Sequence, residues 1–232
     1  AEGFARALSP WAPGTKASRV LAAAGTTTAS IDLMELLGID DAASFDVEAM
    51  WQWAQDRRNL LRVPVGRYID SGRIWYLDFK EYEDAHGPHI GLGGATGSGK
   101  SELLRALVTA LCITHSPDDL VLTPADFKGN KTFAGLERLP HTLVVLHNLN
   151  GSRDRIARVL QVFQGELIHR QELLDSLGDK AKDIEEYRAY RLRHPELGLE
   201  PMPYWIIPFD ELMQAKRDFP ELLIIMGIVG TV

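Results

Sequence analysis

The spacing of apolar residues changes character along the chain, and each change predicts an element. Residues 1–60 hold only short apolar clusters. One, at 4–8, is broken by Pro10, Pro13 and Gly14, and 22–30 has the small, polar composition of a linker. Ser30 can cap a short helix over 31–37 that Gly38 ends, and Asp46 a second over 47–59. Met50, Trp51 and Trp53 of that second helix are expected to pack on the body of the protein. Two β-rich runs, 62–69 and 73–79, flank Asp70-Ser71-Gly72 and predict a hairpin. From residue 86 onward, strand-like and helix-like runs alternate. Strands are expected at 89–92, 120–125, 142–146 and 204–209, and helices at 101–114, 153–177, 181–193 and 219–228. Such alternation implies a mostly parallel sheet covered by helices on both faces.

Two of the helices carry clear core stripes. Leu103, Leu104, Leu107, Ala110 and Leu111 share one face of the first, and Ile156, Val159, Leu160, Phe163, Leu167 and Leu174 one face of the longest. On the latter, Glu166 and Arg170 are one turn apart and should pair, and its arginines should form a solvated face.

The strand–loop–helix pattern at 89–114 frames the main chemical signal. Gly94-Ala95-Thr96-Gly97-Ser98-Gly99-Lys100-Ser101 is a complete G-x-x-x-x-G-K-S phosphate loop. Phosphate oxygens need several N–H donors converging on one point, and a chain without Cβ atoms at Gly94, Gly97 and Gly99 can fold back tightly enough to supply them. The following helix, through its first turn Lys100, Ser101 and Glu102, turns its positive end to the anion. Lys100 is placed to reach the β- and γ-phosphates, and the Ser101 hydroxyl to ligate Mg²⁺.

Hydrolysis needs a carboxylate at the end of a buried strand. Tyr204-Trp205-Ile206-Ile207-Pro208-Phe209-Asp210-Glu211 meets that description: Asp210 would hold the metal, and Glu211 would orient and polarise the attacking water. The competing reading is a solvated pair capping the next helix. Asp126-Phe127-Lys128-Gly129 ends another apolar strand, with Asp126 or Lys128 either near the γ-phosphate or fixing the strand-to-loop turn. His89, His115, His141 and His147 show no metal-ligand spacing and read as structural or surface residues.

Composition narrows the picture further. The 232 residues carry 45% apolar and 25% charged side chains, as ordinary globular domains do, and a net charge of −7, which argues against broad contact with nucleic acid. The single cysteine, Cys112, falls in the helix after the phosphate loop and reads as a small core residue. No apolar run approaches the ~18 residues of a membrane span, and no amino-terminal targeting segment is apparent, so the chain reads as cytosolic with any anchor outside it.

Gly87-Pro88-His89 and the run from Gly94 through Ser101 to Glu102-Leu103-Leu104-Arg105 resemble the FtsK/SpoIIIE ATPases. His115-Ser116-Pro117-Asp118, Asp126-Phe127-Lys128-Gly129, Leu139-Pro140-His141 and Gly165-Glu166-Leu167 through Arg170-Gln171-Glu172-Leu173-Leu174 narrow this to the EccC-type ATPases of type VII secretion systems. Ala5-Arg6-Ala7-Leu8-Ser9-Pro10 and Leu61-Arg62-Val63-Pro64-Val65-Gly66 resemble the segment leading into the first ATPase domain of that family. The resemblance implies an α/β, RecA-like P-loop NTPase with an amino-terminal helical and hairpin extension. It divides the chain into an attached helical segment, 1–60, and an ATPase domain, 61–232, truncated at its carboxyl end. It implies ATP and Mg²⁺ as ligands, with Lys100, Ser101, Asp210 and Glu211 matching the family's nucleotide-site pattern. It implies a motor at the cytoplasmic side of the bacterial inner membrane, anchored through segments outside this chain. Its partners would be other subunits of a membrane secretion complex, exported helical proteins and further copies of itself in a ring. A nucleotide-gated interaction module with little hydrolysis, and a DNA translocase, are the alternatives.

The chain also departs from the family pattern. Gly91 and Gly93 replace bulkier residues in the strand before the loop. Pro124 and Pro208 each stand two residues before a site aspartate, inside expected central strands where proline removes a ladder donor. Near the end, Gly227-Ile228-Val229-Gly230-Thr231 stands where the family carries an arginine-containing stretch.

Overall fold

The computed structural model describes residues 32–82, 84–95, 97–127, 129, 132–147 and 153–211. The elements expected at 4–8, 22–30 and 219–228 lie outside the described residues. The chain forms two compact units, Ala1–Ser116 with Thr132–Leu143, and Pro117–Lys131 with Val144–Val232.

The first unit is built on the helix that follows the phosphate loop. Helix α1 (Leu33–Leu37) is capped by Asp32, whose side chain accepts from Met34 N, and ends at Gly38. Helix α2 (Val47–Trp51) starts at Asp46, which accepts from Ala49 N, and runs on as a 3₁₀ turn, Gln52–Gln55. The expected helix to residue 59 stops there because Asp56 turns extended and gathers the chain into a turn: its carbonyl accepts from Asn59 N and its carboxylate from Arg58 N. The hairpin β1 (Arg62–Arg67) and β2 (Ile74–Asp78) follows, antiparallel, with Val65 the extra residue of a bulge between Pro64 and Gly66. Helices α1 and α2 and strand β1 all pack on α3 (Lys100–Thr114), buried on every side from Leu107 to Thr114.

Polar side chains fasten this packing. Trp51 donates from Nε1 to the Cys112 carbonyl (3.2 Å), so the tryptophan expected to pack does so with its one donor satisfied. His115, buried at the end of α3, accepts from Leu61 N at Nε2 (2.8 Å). His141, also buried, donates from Nε2 to the His115 carbonyl (2.8 Å). These two histidines are structural; His89 and His147 are exposed. Cys112 is fully buried, which pushes its thiol well above the usual range.

The second unit contains the parallel sheet. Strands β3 (Leu120–Leu122) and β6 (Tyr204–Ile206) pair, and β4 (Ala125–Asp126) pairs with both β5 (Leu146–His147) and β7 (Phe209–Asp210), in the order β5-β4-β7. The two strands expected at 120–125 and 204–209 are each interrupted at a proline. Thr123 N donates to Ile206 O (3.0 Å) and Ala125 N to Pro208 O (2.9 Å), so the ladder continues past the break. Pro208, with no N–H, leaves Thr123 O without a hydrogen bond among the described residues. A buried carbonyl without a donor costs about 1–3 kcal/mol. Pro124 faces the other way and accepts from Leu146 N (2.7 Å). It has no N–H to offer the residue two before Leu146, so the strand expected at 142–146 pairs with β4 only over Leu146–His147 among the described residues, and Thr142 forms an isolated bridge.

Helix α4 (Arg153–Leu177) spans the expected residues. Its stripe divides between two cores. Ile156, Val159 and Phe163 pack with Ala125 and Phe127 against the sheet, and Leu174 and Leu177 with Ala181, Tyr187 and Met202. Glu166 and Arg170 pair as expected (2.8 Å), but Arg170 is not on a solvated face: it is 8% exposed, with its guanidinium 5.8 Å from the Trp205 ring. Burial lowers its proton affinity, and Glu166 opposes that. Helix α5 (Ile184–Arg193) begins three residues later than expected, because Asp183 accepts from Glu186 N (2.8 Å) while Glu186 accepts from Lys182 N (2.9 Å).

Arg188 of α5 ties that helix to the start of the sheet. It donates to the Asp118 carbonyl (3.0 Å) and the Met202 carbonyl (3.2 Å), pairs with Asp119, and lies over the Tyr204 ring. Removing it would leave the Asp119 carboxylate, 8% exposed, without its guanidinium partner. Arg188→Ala is therefore expected to cost about 3–5 kcal/mol in urea unfolding. Arg188→Ala with Asp119→Ala should recover part of that loss, which a purely steric effect would not allow.

Candidate nucleotide site

The phosphate loop lies in the first unit. Its lead-in departs from expectation: residues 89–92 pair with no strand among the described residues, and Leu92 is 38% exposed. Gly91 and Gly93 alternate with Ile90 and Leu92, so half of this run has no side chain to bury and the most backbone freedom to lose. From Gly94 the local geometry follows the motif. A Cβ at Gly94 would stand 2.6 Å from Ser98 Oγ and 3.3 Å from Lys100 Cγ, so a side chain there would have to displace the Ser98 hydroxyl and crowd the Lys100 stem. Gly99 has φ 89°, in the left-handed region, and is the residue from which α3 starts. The first bond of that helix runs from Leu103 N to Gly99 O (2.9 Å), and the first-turn amides precede it.

Lys100 bends back over the loop. Its Nζ donates to Gly94 O (3.1 Å) and to Ala95 O (3.4 Å). An ammonium that, among the described residues, donates to two neutral carbonyls is poised to exchange them for phosphate oxygens, which are stronger acceptors. Ser101 sits on the first turn, and Glu102, beside it, is exposed. Gly94, Ala95, Gly97, Ser98, Gly99, Lys100, Ser101 and Glu102 thus gather at one helix start, while Thr96 lies outside the described residues.

The carboxylates lie in the second unit, at the carboxyl edge of the parallel strands. Asp126 and Asp210 are register partners on β4 and β7, so their side chains leave the sheet on the same face one strand apart. Both are buried, at 2% and 6% exposure. Asp126 accepts from Gly129 N at Oδ1 (2.9 Å), which favours the turn-fixing reading of that residue, and Lys128 lies outside the described residues. Asp210 accepts from Glu211 N at Oδ1 (3.0 Å). Glu211 has φ 62°, a left-handed conformation uncommon for a residue with a Cβ and concentrated at functional positions. His147, read as a surface residue, is exposed but stands in register with Asp126 on its other side. Only strand order reveals that row; nothing in the spacing of the three residues along the chain announces it.

Parallel strands ending in carboxylates, helices about them and a glycine loop opening a helix are the parts of a RecA-like P-loop NTPase, and that is the fold of this chain. The solved cytoplasmic domain of the Thermomonospora curvata type VII secretion ATPase EccC matches it with a TM-score of 0.76 and 40% identity, over 88% of this chain and 24% of that one. A second solved structure, Thermomonospora curvata EccC (ATPases 2 and 3) in complex with a signal sequence peptide, matches with a TM-score of 0.57 and 26% identity, over 72% of this chain and 29% of that one. The chain belongs to the FtsK/SpoIIIE family, whose sequence model matches residues 47–232. Among curated relatives, the ESX secretion system protein EccC of Thermomonospora curvata is 41% identical over 88% of this chain and 15% of its own length. The ESX-1 secretion system protein EccCa1 of Mycobacterium tuberculosis is 36% identical over 94% of this chain and 30% of its own length. The chain thus spans between about 15% and 30% of these two relatives. Among the described residues no helix is long and apolar enough to cross a membrane.

Proposed function

We propose that this chain is the ATP-binding and ATP-hydrolysing part of a motor that drives protein export in a type VII (ESX) secretion complex. The observation that carries the reading is Lys100 folded onto the carbonyls of an intact glycine loop at the start of α3, in a chain 41% identical to an ESX secretion system protein. ATP is the substrate. The loop from Gly94 to Gly99 and the first turn of α3 cradle its phosphates, and Lys100 neutralises their charge. Ser101 and Asp210 are the oxygen donors suited to a hard cation. Mg²⁺ bound with ATP would draw charge from the β- and γ-phosphate oxygens. Glu211 orients the attacking water and takes its proton. The left-handed turn at Glu211 holds that carboxylate just past the strand end.

The partners in this reading are other subunits of a membrane secretion complex, further copies of the chain in a ring, and exported helical proteins. The peptide bound in the solved structure of ATPases 2 and 3 of the Thermomonospora curvata protein supports the last of these. The chain would work at the cytoplasmic side of the membrane, anchored by neighbouring segments of a longer protein. Residues 61–232 would form the ATPase domain and 1–60 its attached helical lead.

Titration with a fluorescent ATP analogue tests the core of this reading. Saturable binding that strengthens by about 10-fold or more with Mg²⁺ is expected, the gain of bringing a divalent charge to the phosphates. Binding indifferent to Mg²⁺ would remove Ser101 and Asp210 from the metal role, and saturable binding without turnover would favour a nucleotide-gated module.

A further inference from the structure

Pro124 and Pro208 stand opposite one another on adjacent parallel strands. The partners before them are Leu120 with Tyr204, Val121 with Trp205 and Leu122 with Ile206; those after them are Ala125 with Phe209 and Asp126 with Asp210. The same offset runs through both sets, so the prolines share a rung. On this side of the ladder Tyr204 N donates to Asp119 O (2.8 Å), and Thr123 N and Ala125 N donate back across it. The next bond in the series would run from the N–H of residue 208 to Thr123 O, and proline has none to give. Thr123 is 1% exposed, so bulk water does not replace it. Its side chain is engaged elsewhere, accepting from Trp205 Nε1 (2.9 Å).

The missing bond falls at a particular place. Below it lies the β3–β6 pair, which carries no site residue. Above it lies the block of β5, β4 and β7, with Asp126, Asp210 and, one residue on, Glu211. Local rules are broken most often where function needs movement or strain, and units held by fewer bonds open first.

We propose that Pro208 is a positioning residue: by withholding one ladder bond from Thr123, it lets the carboxyl-edge block yield separately from the strands below, so that Asp210 and Glu211 adjust to a bound metal–nucleotide. This rests on the roles given above to Asp210 and Glu211. Pro124 differs, since its missing donor faces β5 and not the Asp210 strand.

Pro208→Val restores the absent N–H with a side chain suited to a strand, and Pro208→Ala does so with minimal bulk should valine not be accommodated. Hydrogen exchange on the full chain without nucleotide is the first readout. The amides of Ala125, Asp126 and Asp210 should exchange about 10-fold faster than those of Val121 and Ile206, and Pro208→Val should narrow that gap to about 3-fold or less. Adding Mg²⁺ with a non-hydrolysable ATP analogue should slow exchange at Asp210 and Glu211 in the wild type, with little further change in Pro208→Val. Turnover should fall about 10-fold in Pro208→Val with nucleotide affinity nearly unchanged, and stay near wild type in Pro124→Val. Equal protection of the two blocks in the wild type overturns the proposal, as does a Pro208→Val chain that closes the gap and hydrolyses ATP as fast as or faster than the wild type. A wild type that binds ATP without turning it over defeats the motor reading alone. The exchange gap and its response to Mg²⁺ and nucleotide then still decide the role of Pro208.

Discussion

Replacing Lys100 by alanine is expected to weaken ATP binding by about 10- to 100-fold, the worth of a charge-assisted hydrogen bond, and to lower turnover by about 10²- to 10³-fold. The two numbers differ because charge on the transferred phosphoryl oxygens grows towards the transition state, where an ammonium stabilises it more than in the ground state. The protein should stay folded. The only hydrogen bonds described for Lys100 Nζ are to Gly94 O and Ala95 O, and both carbonyls belong to exposed residues that water can solvate. Stability should therefore change by no more than about 0.5 kcal/mol. Analogue titration and phosphate-release rates, read beside a thermal melt, separate a lost site from a lost fold. Hydrolysis at the wild-type rate in Lys100→Ala would eliminate this loop as the catalytic site.

Glu211→Gln is expected to separate binding from chemistry. The amide keeps the size and hydrogen-bonding reach of the carboxylate but cannot take a proton, so turnover should drop by about 10²- to 10⁴-fold while ATP stays bound. The backbone makes this substitution a clean one. Glu211 holds φ 62° after Asp210, whose side chain accepts its N–H. Glutamine carries no more bulk at Cβ than glutamate does, so that turn should survive. A β-branched residue there would be strained, and Glu211→Val should lose turnover and stability together. About one unhydrolysed ATP retained per site, with no burst of phosphate release, is the signature to seek in Glu211→Gln. Unchanged steady-state turnover would move the general base elsewhere.

Much of the site was legible because its chemistry is local. Gly94, Gly97, Gly99, Lys100 and Ser101 are fixed by the geometry of one turn, and a turn is determined by residues within reach of one another along the chain. Helix α4 was predicted to its ends because the stripe from Ile156 to Leu174 has a single period and no competing cap. The neighbouring errors are also local, but they turn on side-chain hydrogen bonds that periodicity does not register. Asp56 ends α2 early and Asp183 starts α5 late, each by capturing a backbone N–H. Arg170 looked like part of a solvated face, and Glu166 and the Trp205 ring made its burial tolerable.

By itself the amino-acid order determined the α/β class, the phosphate loop, the hairpin and the long helix, because each depends on periodicity or on contacts a few residues apart. Tertiary structure alone decided that Asp126 and Asp210 stand side by side, that His147 joins their row, and that two prolines 84 residues apart share one rung. Those facts depend on which strands lie adjacent and in what register. Hydrogen bonds between distant segments set both, and they leave no period along the chain.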